Sequence, residues 1–165
     1  MKKTIILFAV LFISGLAFFA CREASETQTT MPEAAPEAFW TYIQTTNPYT
    51  QWKFFPGYDG IYPGQSPHGA YLKQYVNDIA YEAIKKGEKM PSGAMIIKEN
   101  YGQDKTTLMA ITPMYKMEGY NPEGGDWFWP KYGPDGKAMA AGKVESCIGC
   151  HKAMGDGDYV VTAPR

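Results

Sequence analysis

The chain is short of metal ligands. Its 165 residues include two histidines and three cysteines. A structural zinc site takes four protein ligands, yet only Cys147, Cys150 and His151 stand together, and His68 is far away in sequence. A surplus of positive charge is also missing. Sixteen Lys and Arg stand against 17 acidic residues, and leaving out Lys2 and Lys3 moves the net charge from −1 to −3. That leaves no basic footprint for nucleic acid. No repeat of solenoid length is present. Residues 5–19 are mostly apolar, but the run is short for a bilayer span and is interrupted by Ser14 and Gly15. With 12 prolines and 17 glycines, long uninterrupted helices are excluded as well, and four-helix architectures with them.

What is present starts with an export signal. Lys2 and Lys3 precede the apolar run, and Phe18-Phe19-Ala20-Cys21 resembles a bacterial lipobox, in which the cysteine is acylated and becomes the new N-terminus. Residues 1–20 are therefore expected to be a signal peptide. Residues 21–36 are polar and proline-containing and read as a lipidated flexible tether. Residues 37–165 fit one domain. The whole chain's hydrophobic share of 45% and aromatic share of 15% suffice for a core plus a cofactor pocket.

The chemistry lies near the C-terminus. Cys147-Ile148-Gly149-Cys150-His151 is the C-x-x-C-H signature of c-type haem attachment. Two thiols supply covalent anchors to the haem vinyl groups, and the adjacent histidine supplies an axial ligand to the iron. A redox dithiol would leave His151 idle. Covalent haem at Cys147 and Cys150 leaves Cys21 as the one remaining cysteine, which acylation accounts for. Cytochromes c mature outside the bacterial cytoplasm, so the two readings agree, and the expected location is the periplasmic side of a membrane with a lipid anchor at Cys21.

Few residues follow the motif. Met154 is too close to His151 to reach the opposite haem face, so whatever covers that face comes from upstream. His68, the only other histidine, could make a bis-histidine site suited to electron transfer. Its other reading is a loop histidine bonded to backbone or to a haem propionate.

Along the domain, residues 37–44 read as a helix stopped at Asn47-Pro48, and residues 49–55 as a further helical turn. Residues 57–69 read as a loop. Strands are expected at 70–76, 94–101, 107–116 and from 127, with a last short strand at 158–162. Asn77 is a plausible N-cap for a helix running to Lys86 and ending at Gly87. Pro113 calls for an edge position or a bulge. Residues 138–146 read as a linker or helix leading to the haem cysteines. Met95, Met109, Met114 and Met117 read most simply as core filler, and Trp127 and Trp129 share one face of a regular strand. The fold class is α+β, with an antiparallel sheet at its centre and a few short helices.

A C-terminal haem motif on a sheet-rich body resembles the cytochrome P-460 family, which includes the cytochromes c′-beta. The resemblance is carried by Gly93-Ala-Met-Ile-Ile-Lys-Glu99, Met114-Tyr-Lys116, Gly125-Asp-Trp127, Cys147-Ile-Gly-Cys-His151 and Asp158-Tyr-Val160, in family order. It implies a single covalent haem c whose iron is open, or easily opened, on its distal side. Family members bind nitric oxide, and the enzymes among them oxidise hydroxylamine. The implied partners are a small nitrogen-containing ligand or substrate and a periplasmic redox protein, and members are often homodimers. In the enzymes a lysine is joined covalently to the porphyrin edge, and Lys98 stands at the matching position. Relatives of the c′-beta kind lack that bond, so a lysine that faces solvent or pairs with a propionate is the other reading. Those enzymes also place a carboxylate near the substrate, as suits an oxidation that releases protons. The comparable stretch here, residues 110–116, has no Asp or Glu, with Glu118 just beyond. This favours gas binding or redox chemistry under Phe, Met or Tyr cover, with Met114 and Tyr115 as distal-pocket candidates.

Overall fold

The computed structural model describes residues 30–154 and 158–161. The signal, Cys21 and the first part of the tether lie outside the described residues. Eight strands form one antiparallel sheet. Its main order is β1 (Lys53–Phe54), β3 (Tyr71–Val76), β4 (Met95–Tyr101), β5 (Leu108–Lys116), β7 (Lys131–Tyr132) and β8 (Ala138–Ala140). β2 (Tyr62–Pro63) also pairs with β3, and β6 (Trp127–Phe128) also pairs with β5. Three short α-helices accompany the sheet: α1 (Pro36–Thr41), α2 (Asp78–Lys86) and α3 (Glu145–Met154). This is the expected α+β class.

Both faces of the sheet are covered, and strand alternation decides which side chain goes where. Val76, Ile96, Met114, Trp127 and Trp129 pack on one side under Ala80 and Ala83 of α2 and Ile148 of α3. Tyr75, Met95, Ile97, Tyr115 and Phe128 pack on the other side against Phe39 of α1 and Ile43. That second side also carries a buried carboxyl. Glu99 accepts hydrogen bonds from the Tyr49 and Tyr101 hydroxyls, each at 2.8 Å. Desolvation, reinforced by the neighbouring Glu99, pushes both phenols above their ordinary range.

Asn77 fixes the junction between β3 and α2. Its Oδ1 caps the helix by accepting from Ala80 N at 3.0 Å and also accepts from Met95 N at 3.1 Å, while its Nδ2 donates to the Gly93 carbonyl at 2.8 Å. Gly87 closes the helix in the left-handed conformation (φ 68°). Asn77→Ala removes the cap and leaves two buried backbone groups unpaired. It is expected to lower stability by about 2–3 kcal/mol in chemical denaturation.

The structure departs from the sequence expectations in several places. Met109, read as core filler, is exposed, and the short β2 lies within the segment 57–69 read as a loop. Residues 49–51 form a 3₁₀ turn, and the chain then extends into β1 instead of continuing as helix. Residues 138–140 form β8 rather than a linker or helix. A turn closed by Gly133 N to Lys137 O at 2.9 Å folds the chain back, so that Tyr132 pairs with Ala138. Residues 158–161 form no strand, because Tyr159 adopts a left-handed φ of 63° that breaks an extended path. Pro113 is in neither an edge strand nor a bulge. The second neighbour of β5 is split between β6 at Tyr115–Lys116 and β7 at Ile111. Pro113 pairs with Ile97 of β4 on one side and falls in this interval on the other, where neither β6 nor β7 has a residue opposite it.

Candidate functional site

A cavity of about 550 Å³ opens on the α2/α3 side of the sheet. Its floor follows from the strand register. Gln74 of β3 pairs with Lys98 of β4, which pairs with Thr112 of β5, and all three line the cavity. Ile96 and Met114 form the adjacent row. The loop 63–68 makes one wall and α3 another.

The spacing of the cysteine motif acquires a physical meaning on α3. Residues three and four apart lie on one helical face, so Cys147, Cys150 and His151 share a stripe. All three line the cavity, and Ile148 anchors the helix in the core. Both thiols are free, and burial raises that of Cys147. Among the described residues no group of three His, Cys, Asp or Glu is placed to hold a bare metal ion. The buried His151 ring meets Trp129 edge-on at 4.8 Å, and its Nδ1 donates to the Tyr159 carbonyl at 2.8 Å. A carbonyl can only accept, so Nδ1 carries the proton and Nε2 keeps its lone pair.

His68 reaches the same cavity from the opposite wall. Its ring centre lies 6.1 Å from that of His151, with the two planes at 88°. Its Nδ1 is 2.9 Å from Asn100 Oδ1. Desolvation, with the cation of Lys98 next in weight, lowers its pKa to about 4, and burial likewise lowers that of His151. Both rings are neutral at neutral pH.

Lys98 is half-buried in the floor. Desolvation brings its amine down to about 8, partly offset by the nearby Cys150. No Asp or Glu lines the cavity among the described residues, while Lys98 and Lys131 do. Glu118 sits in an exposed turn, where its backbone N–H donates to Ser92 Oγ at 3.2 Å. Met114 lines the cavity, but Tyr115 does not. Alternation turns Tyr115 to the opposite face, where it stacks on Phe39 at 5.4 Å and donates to the Pro32 carbonyl. That removes Tyr115 from the distal-pocket candidates. Cys21 lies outside the described residues.

These residues fit a haem by their own chemistry. The cavity is of cofactor size, and it offers two thiols, two neutral imidazoles and two lysines suited to propionates. Trp129 Nε1 is buried without a hydrogen-bond partner among the described residues, a donor that an incoming acceptor would satisfy. Sequence reasoning missed three participants. Asn100 was within reach of the alternation rule, standing two residues beyond Lys98. Trp129 was placed with Trp127 on one strand face, without its contact to His151. The Tyr159 contribution is a backbone carbonyl, which no side-chain pattern announces.

In comparisons with known proteins, the model of the family described as cytochrome P-460 matches residues 46–162. No curated protein matches the chain.

Proposed function

Because the chain belongs to the cytochrome P-460 family, we propose that it is an exported mono-haem c-type cytochrome that binds or carries out redox chemistry on small nitrogen species. In this reading Cys147 and Cys150 would hold the haem through thioethers, each thiol adding its sulfur to one carbon of a vinyl group and its proton to the other. His151 would bind the iron, its basicity set by the bond to the Tyr159 carbonyl. The haem supplies an iron centre for ligand binding and electron exchange. Lys98 and Lys131 would meet its propionates, Trp129 packs against the His151 imidazole, and Met114 would contribute apolar cover. Acylation of Cys21 would hold the domain at the periplasmic side of a membrane, where a redox protein exchanges electrons with it.

The observation that carries this reading is the stripe Cys147, Cys150 and His151 along one wall of the cavity. The absence of a cavity-lining carboxylate among the described residues favours nitric oxide binding over hydroxylamine oxidation, which needs a proton acceptor. The purified chain is expected to give the alkaline pyridine spectrum of haem c at one haem per chain. The reduced protein is expected to form a nitrosyl complex, and turnover of hydroxylamine with an artificial acceptor should be slow or absent. A colourless chain, or a ferrous protein that forms no nitrosyl complex, would reject the assignment.

A further inference from the structure

We infer that His68 is a second axial ligand, held ready by Asn100, so that the resting iron is six-coordinate and a small ligand binds by displacing it. This rests on the haem assignment above and concerns the opposite side of the iron.

The first ground is the tautomer. Asn100 Nδ2 donates to the carbonyls of Lys98 and Ala110, each at 3.1 Å, and to Thr112 Oγ1 at 3.0 Å. Those acceptors fix which end of the amide is which. Asn100 Oδ1 therefore faces Gly69 N, which donates at 3.3 Å, and His68 Nδ1 at 2.9 Å. An amide oxygen only accepts, so the His68 proton is on Nδ1 and Nε2 is the bare nitrogen. Among the described residues no hydrogen bond engages Nε2 of either histidine. Each ring thus has a hydrogen-bonded outer nitrogen and a free basic one, the arrangement of a metal-bound histidine.

The second ground is distance. Two metal–nitrogen bonds of about 2.0 Å each, with half an imidazole beyond each, span about 6 Å. The ring centres are 6.1 Å apart.

The third ground is the loop. A side chain at Gly69 would come within 2.5 Å of the Tyr101 carbonyl oxygen and 2.6 Å of its nitrogen, and one at Gly64 within 2.2 Å of the Gly69 oxygen. Glycine at 69 lets the loop press against β4, glycine at 64 lets the two ends of the loop close on each other, and together these contacts bring His68 over the cavity. A loop histidine serving only its own loop needs no such approach.

The test uses the full-length holoprotein. Wild type is expected to show low-spin ferric and ferrous spectra. His68→Ala should turn high-spin, and added imidazole should restore the low-spin form. Carbon monoxide, as a probe of the ferrous state, should bind His68→Ala at least ~10-fold more tightly, because an opened minor state is populated to about 10% or less in wild type. Should His68→Ala fail to fold, His68→Met provides a second route. Methionine opposite histidine raises the reduction potential, so a clear upward shift supports ligation at position 68, and an unchanged potential rejects it. A high-spin wild type, or a low-spin spectrum that survives in His68→Ala but is lost in Lys98→Ala, overturns the inference while leaving the haem assignment standing. A wild-type chain without haem overturns both.

Discussion

A chain carrying Cys147→Ser and Cys150→Ser together is expected to emerge with no covalently attached haem. Serine hydroxyls are poor nucleophiles at neutral pH, whereas thiols add to vinyl groups as the C-x-x-C-H motif requires. The helix presents both sulfurs to one cavity, so either single substitution should leave one thioether and a haem that still survives denaturation. The double substitution should leave only His151 and the pocket, and acidified organic solvent should then extract the pigment completely. A haem-stained denaturing gel together with the intact mass reads the result directly. A band that still stains would move the covalent bond to another nucleophile, and Lys98, whose amine is brought to about 8 by burial, is the first to examine among those lining the cavity.

The second large effect is expected at Trp127. Its side chain is fully buried, and its Nε1 donates to the Asp158 carbonyl at 3.0 Å. Asp158 in turn holds Lys116 at 2.5 Å and the Met90 amide at 2.5 Å, and the Lys116 ammonium stands 5.0 Å from the centre of the Trp127 ring. The next residue, Tyr159, is the one that orients His151. Trp127→Ala should therefore cost about 3–5 kcal/mol through the lost packing and the cavity left behind. Trp127→Phe keeps most of the packing but orphans the Asp158 carbonyl, and should cost about 1–2 kcal/mol. Guanidinium denaturation of both variants checks the ordering, and equal losses would contradict the separate role given to Nε1.

Features that depend on neighbours in sequence were legible before any fold was known. The cysteine motif is one. The Asn77 cap with its Gly87 stop is another, and the alternation that turns Lys98 to the face of Ile96 is a third. Features that depend on distant pairings were not. The meeting of His68 and His151 joins residues on opposite walls of the cavity, and only the register of three strands and the approach of a glycine-bounded loop brings it about. Tyr115 stood beside Met114 as a candidate because both have side chains that can cover an iron, yet alternation sends neighbours to opposite faces. β8 was hidden because residues 138–140 are weak strand formers by composition, and pairing with β7 after a tight turn overrides that preference. Asp158-Tyr-Val160 looked extended, but a positive φ at Tyr159 bends the segment so that its carbonyl meets the imidazole.

The two-sided character of β4 bears on how the sheet avoids misalignment. Sliding this strand by one residue would exchange its faces, burying an amine beneath α1 and delivering a carboxyl into the cavity. Both polar residues flanking the exchange oppose it. Glu99 finds its two phenol donors only in the observed alignment, and Asn100 finds its three acceptors only there. The groups that equip the cavity and its reverse side therefore also act as proofreaders of assembly, disfavouring the slipped sheet.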